Sequence, residues 1–162
     1  VILTHGEHHD GLRKTVKSIV DYTKTPYEIV IVNNDAAYLL DDNGQVYKRD
    51  ISGERLEECL VKRIIAEPGQ TLEIIPETHE VKVDGVTLNE PYIKEPTISG
   101  GVFSYPITIP EGYYFVMGDN RNNSADSRNG DVGLIKKDQI YGKALVRFSP
   151  FKNFKVLYKS VK

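Results

Sequence analysis

YYFVMGDNRNNSADSRNG (113–130) starts as a short apolar and aromatic strand and turns at once into a polar run. That run, GDNRNNSADSRNG (118–130), places two Asp-to-Arg steps, Asp119/Arg121 and Asp126/Arg128, around Ser124. Clusters of Asn, Asp, Ser and Gly ordinarily mark solvated turns between strands. Paired carboxylates and guanidiniums do more than a turn requires, because their bidentate bonds hold a loop in one geometry. A strand that feeds a stiffened loop with a serine at its centre points to a β-rich domain carrying a built site.

The sequence on either side agrees with that fold class. LVKRIIA (60–66) reads as a strand stopped by Pro68-Gly69, and TLEII (71–75) as the next. HEVKV (79–83) and VTL (86–88) flank Asp84-Gly85, a two-residue hairpin signal. Residues 37–66 are ambiguous before the first of these strands, with a turn expected at Asp42-Asn43-Gly44. Pro91, Pro96, Pro106 and Pro110 make 89–112 an irregular, looped stretch. IYGKALVRF (140–148) and FKVLY (154–158) close the chain as strands. The expectation over 37–162 is a mainly β domain of short strands.

Residues 1–36 differ in style. VILT is a short apolar strand, and Leu12, Val16, Ile19 and Val20 fall at helical spacing over 9–22, with Asp10 as the cap. Pro26 ends that pattern, and YEIVIV (27–32) reads as a buried strand. Strand, helix and strand together predict a small βαβ segment that precedes the β domain as a separate unit.

Composition narrows the function classes. Hydrophobic residues are 40% and charged residues 27%, which places the chain among globular proteins rather than disordered ones. A net charge of -2 offers no basic footprint for nucleic acid. One cysteine, Cys59, rules out an intrachain disulfide framework. No apolar run approaches the ~20 residues of a membrane span, and no leader peptide is visible. The chain begins at Val1 rather than Met, which predicts a fragment or a trimmed chain.

Lys62 is the first candidate for chemistry. Alternate strand residues share a face, so Leu60, Lys62, Ile64 and Ala66 form one row and Val61, Arg63 and Ile65 the other. A cation in an apolar row has its charged form disfavoured by desolvation, which moves a lysine toward use as a base. The alternative is a strand lysine whose amine reaches water. A neutral lysine needs a hydroxyl to deprotonate and a partner to orient it. Ser124 can do either, since a hydroxyl both donates and accepts. Ser-Lys pairs are a variant of triad chemistry.

LVKRIIAEPGQTLEI (60–74), VDGVTLNEPYI (83–93), GDNRNNSADSR (118–128) and GLIKKDQIYGKALVRFSPF (133–151) resemble the bacterial type I signal peptidases. The resemblance covers about residues 45–162. It implies a Ser-Lys endopeptidase that removes signal peptides from exported preproteins at the outer membrane face, without metal or organic cofactor. It assigns Lys62 as general base, Ser124 as the serine that orients it, Arg63 and Asp119 as a structural ion pair, and Asp126 with Arg128 as a second. Asn120 and Arg121 belong to the same supporting loop. The family's nucleophile lies in a Ser-Met-x-Pro segment some forty residues before the lysine, and this sequence contains no such segment. The family's membrane-spanning anchor is missing from it as well. Ser18 lies in about the right region, but inside the expected helix, and Ser52 is too close to Lys62. The chain is therefore expected to be truncated or inactive.

VILTHGEHHDGLRKTVKSIVDYTKTPYEIVIVNND (1–35) resembles the opening of a family 2 glycosyltransferase, with Thr4 and Asp35 at its nucleotide-sugar positions. A joined reading frame is the simplest account of the two resemblances. His5, His8 and His9 with Glu7 could ligate a metal but lack a fourth partner, so no metal is expected. Two other readings stand beside the peptidase: a non-catalytic assembly partner for exported proteins, and a glycosyltransferase fragment.

Overall fold

Alternating valine, isoleucine and leucine over four to seven residues, punctuated by Gly and Pro, leave little for this chain to build except short strands. A computed structural model describes residues 30–32, 37–49, 60–144, 146–147 and 155–156. Among these the protein is mainly β, as expected: thirteen strands and one turn of 3-10 helix, Lys137–Gln139. The strands are β1 (Val30–Val32), β2 (Ala37–Leu40), β3 (Val46–Arg49), β4 (Leu60–Ala66), β5 (Thr71–Ile75), β6 (Glu80–Val83) and β7 (Val86–Thr87). They continue as β8 (Ile107–Thr108), β9 (Tyr113–Met117), β10 (Ile135–Lys136), β11 (Ile140–Lys143), β12 (Val146–Arg147) and β13 (Lys155–Val156).

Two sheets carry the architecture. One has the order β10-β9-β4-β1-β11 and the other β7-β6-β5-β8, with β2-β3 and β12-β13 as separate ribbons. All of the pairings are antiparallel. The main core joins Leu72 and Ile74 of β5, Val81 and Val83 of β6, Ile107 and Ile109, and Phe115 and Met117 of β9. A second cluster gathers Val116, Val132, Ile135 and Ile140. β9 therefore feeds both: Phe115 and Met117 face one core and Val116 the other, as period-two alternation requires. Each such side chain removed from water stabilises the fold by about 1.5–3 kcal/mol.

Turn chemistry sets the register of the second sheet. Asp84 and Gly85 take φ of 52° and 77°, the left-handed pair that a tight two-residue hairpin needs. The Asp84 carboxylate also accepts the Thr71 amide at 2.8 Å, tying the turn back to β5.

Part of the sequence reading lies outside the described residues, and the structure departs from the rest at several points. Residues 1–29 and 33–36, which hold most of the expected βαβ segment, lie outside the described residues. Its second strand, β1, runs antiparallel to both β4 and β11, inside the main sheet, so a parallel preface is not supported. The alternation along β4 also fails at its end. Ile64 opposes Val116 and Ala66 opposes Phe115, so Ile65 is an extra residue in a bulge. Ile65 and Ala66 consequently both enter the main core, while Leu60 and Ile64 pack on the second cluster, and Ala66 leaves the row of Lys62. The strand expected over 140–148 is broken, with β11 ending at Lys143 and β12 starting at Val146. Ile135–Lys136 forms an additional short strand on β9 that no run of apolar residues announced.

Candidate functional site

β4 and β9 lie side by side, with Arg63 opposite Met117. The loop after Met117 therefore leaves the sheet next to Lys62. This register, rather than any local feature of the loop, brings the two halves of the site together. Lys62 Nζ lies 3.0 Å from Ser124 Oγ, in hydrogen-bond reach.

Three ion pairs hold the loop. Asp126 and Arg128 are both buried, and the guanidinium donates Nε–H and Nη2–H to the two carboxylate oxygens at 2.9 and 2.8 Å. Asp126 also accepts the Gly118 amide at 2.9 Å, which binds the start of the loop to its end. Arg128 donates further to the Arg121 carbonyl at 2.5 Å and to the Ser99 carbonyl at 3.3 Å. Arg63 grips Asp119 through Nε and Nη2 at 2.8 and 2.9 Å and stacks over the Tyr92 ring, 3.7 Å from its centroid. Arg121 does not pair with Asp119, two residues away, as the spacing had suggested. Its buried guanidinium donates to Glu90 through Nη1 and Nη2 and to Thr97 Oγ1 at 2.9 Å. Asn120 takes a humbler part, its carbonyl closing a turn with the Asn123 amide at 3.1 Å.

Any side chain at 118 would force Ser124 or the backbone to shift. A Cβ there would sit 2.2 Å from Ser124 Oγ and 2.7 Å from Ser124 Cβ, closer than side-chain atoms ever pack. The loop backbone thus presses on the serine and leaves its hydroxyl aimed toward the lysine. On its other side Ser124 borders an open cleft of about 250 Å³ with Ile98, Asn122 and Arg128.

Burial is the main influence on Lys62 and pulls its pKa below the ordinary lysine value; the Asp126 carboxylate opposes this and the Arg128 guanidinium adds to it. An amine held this way can become neutral at lower pH than a surface lysine, take a proton from a hydroxyl and return it to a leaving amine. Tyr92 moves the other way. Its hydroxyl donates to Glu90 at 3.0 Å, and burial with the adjacent carboxylate pushes its pKa up to about 12.

The sequence reading missed Glu90, Tyr92 and Thr97 as parts of the site. They lie in the proline-rich stretch, 24 to 31 residues from the arginine two of them hold, and nothing in the spacing connects them. A further buried lysine, Lys143 on β11, has the same register partner on β1, Val30, as Lys62. Ser18, Ser52, Thr4, Asp35, His5, His8, His9 and Glu7 lie outside the described residues. Among the described residues no three His, Cys, Asp or Glu side chains are grouped to hold a metal, and no helix is long and apolar enough to cross a membrane.

Comparison with known proteins bears on what this geometry serves. The family profile "Signal peptidase, peptidase S26" matches residues 7–149. That span takes in residues 7–35 as well as the β domain. Signal peptidase I T of Bacillus subtilis (strain 168) is 39% identical over 135 residues, covering 76% of this chain and 66% of that protein. Signal peptidase I P of Bacillus subtilis subsp. natto is 36% identical over 147 residues, covering 84% and 75%. The chain thus spans just under two thirds of the length of the first relative. A crystal structure of a signal peptidase I from Enterococcus faecalis V583 superposes with a TM-score of 0.51 at 26% identity, over 75% of this chain and 97% of that one.

Proposed function

The chain belongs to the signal peptidase family, peptidase S26, and from that premise we propose that it is the β domain of a Ser-Lys endopeptidase that removes signal peptides from exported preproteins. The observation that carries this reading is the 3.0 Å approach of Lys62 Nζ to Ser124 Oγ, with the amine half-buried and its charged form disfavoured. Lys62 acts as general base: it takes the proton of a nucleophilic serine and delivers it to the leaving amine of the cleaved peptide. Ser124 orients Lys62. Arg63–Asp119 and Asp126–Arg128 keep strand and loop in register. The substrate carries small residues before the scissile bond, no metal or cofactor takes part, and the parent protein is anchored in the membrane with this domain on its outer side.

The sequence lacks Ser-Met-x-Pro, so the nucleophile is not assigned, and this chain cleaves slowly or not at all. The deciding experiment replaces residues 1–29 with a membrane helix followed by a Ser-Met-x-Pro segment and follows preprotein cleavage. Turnover that disappears on Lys62→Ala supports the reading; a folded graft with no turnover overturns it. Cleavage by the unaltered chain that survives Ser18→Ala yet is lost on Lys62→Ala would show that a nucleophile is already present elsewhere.

The missing Ser-Met-x-Pro also favours a second reading, a non-catalytic partner that holds exported proteins. Preprotein binding without turnover, unaffected by Lys62→Ala, would select it. The glycosyltransferase likeness of residues 1–35 is a third. The family match from residue 7 weighs against it, and titration with a nucleotide sugar tests it, with no binding expected.

A further inference from the structure

The stretch after β7, which the prolines mark as irregular, lies along the Ser124 loop and is bonded to it repeatedly. The Lys94 amide donates to the Asp119 carbonyl at 2.9 Å and the Val102 amide to the Arg128 carbonyl at 3.0 Å. Asn122 donates to the Pro96 carbonyl at 3.0 Å. Thr97 is fully buried, and its hydroxyl accepts Arg121. One end of the stretch reaches β4 as well: the guanidinium of Arg63, next in sequence to Lys62, lies over the Tyr92 ring, 3.7 Å from its centroid. Its hydroxyl donates to Glu90, and Glu90 pairs with Arg121 at side-chain exposures of 7% and 0%. The order Asp119, Arg63, Tyr92, Glu90, Arg121 is therefore a continuous chain of contacts. It starts on the loop, crosses the strand that carries the lysine, and returns to the loop two residues on.

We infer that Glu90 and Tyr92 are positioning residues, a brace that holds the Ser124 loop closed over Lys62. Their bonds run to Arg121, to Arg63 and to each other, and both act through the two arginines. The chemistry of the brace explains its composition. Arg121 is buried and always charged, so it needs a carboxylate that can take two of its donors, and Glu90 is that carboxylate. Tyr92 supplies a ring face for Arg63 and a hydroxyl for Glu90, coupling the two guanidiniums. With the brace open, water enters beside the lysine, and the burial that keeps its ammonium disfavoured is reduced.

The inference rests on the proposed role of Lys62 only for its functional meaning, because its test reads the environment of the amine and not cleavage. Lysines labelled with 15N at Nζ are titrated in the full chain for the parent sequence, Tyr92→Phe and Glu90→Gln. The Lys62 midpoint is expected to move up toward the ordinary lysine value in both variants, so that the neutral fraction near pH 8 falls about threefold or more. Arg49→Gln, which breaks the exposed Arg49–Asp131 pair, is the control and should leave Lys62 unmoved. A Glu90→Asp variant should restore part of the effect. If Glu90→Gln fails to fold, Tyr92→Phe decides, since it removes one hydroxyl and keeps the ring. A folded Tyr92→Phe protein with an unchanged Lys62 titration overturns the inference and leaves the brace a purely stabilising feature. An unchanged titration alongside active cleavage would overturn the brace alone; a moved titration alongside an inactive graft would overturn only the peptidase reading.

Discussion

Lys62 and Ser124 stand 62 residues apart in the chain and meet at 3.0 Å between Nζ and Oγ. Neither end of that contact is free to drift. Lys62 is fixed by β4 between β1 and β9, and Ser124 is pressed by the Gly118 backbone and framed by the buried Asp126–Arg128 pair.

Stability should depend on pH through Lys62. Its folded pKa lies below the ordinary lysine value, so between those two points the unfolded chain binds more protons at this residue than the folded chain. Stability at this group therefore rises with pH across that window and is lost as pH falls through the folded pKa. Lys62→Met should remove this slope, and urea unfolding at a series of pH values measures it. An unchanged slope in the variant would show that the amine is not perturbed in solution.

On the proposed roles of Lys62 as base and Ser124 as its orienting hydroxyl, loss of the amine should outweigh loss of the hydroxyl. In the Ser-Met-x-Pro graft, Lys62→Ala is expected to lower kcat by about 10²–10⁴-fold, the usual share of a positioned base. Ser124→Ala keeps the amine and should cost about tenfold, mostly in kcat with KM little changed. Steady-state kinetics on a preprotein substrate separates the two, and equal losses would mean that Ser124 does more than orient.

Gly118→Ala puts a methyl where Ser124 already sits, 2.2 Å from its Oγ. The serine or the backbone must shift, at a cost of about 1–3 kcal/mol. The expected result is a lowered unfolding midpoint together with loss of the Lys62–Ser124 bond. A crystal structure of the variant that retained the 3.0 Å contact would contradict this.

Asp126→Ala should be among the most damaging changes in the loop. It leaves the Arg128 guanidinium buried without its carboxylate and removes the acceptor of the Gly118 amide. Stranding a buried charge costs about 3–5 kcal/mol. Asp119→Ala, at a side chain 40% exposed, should cost about 1 kcal/mol, because water replaces part of what Arg63 loses. Chemical denaturation of the two variants tests the order, and a reversal would mean that the exposed pair holds more of the loop than burial suggests.

The sequence by itself determined the β class, the limits of β4, β5 and β9, the Asp84-Gly85 hairpin and the presence of a stiffened serine loop. These features are legible because period-two alternation and turn chemistry act over a few neighbouring residues. Strand alternation and the loop pattern singled out Lys62, Ser124 and the Asp126/Arg128 step, and the family likeness added their roles and the Arg63–Asp119 pair. Only the tertiary structure decided which acid meets Arg121. Asp119 was nearer in sequence, but Arg63 takes it, and the arginine turns inward to Glu90 and Thr97. The bulge at Ile65 was equally hidden, since an extra residue in one strand exists only relative to its partner. Charge pairing and strand register are set by which segments the core brings together, and that choice depends on contacts tens of residues apart, which local pattern does not record.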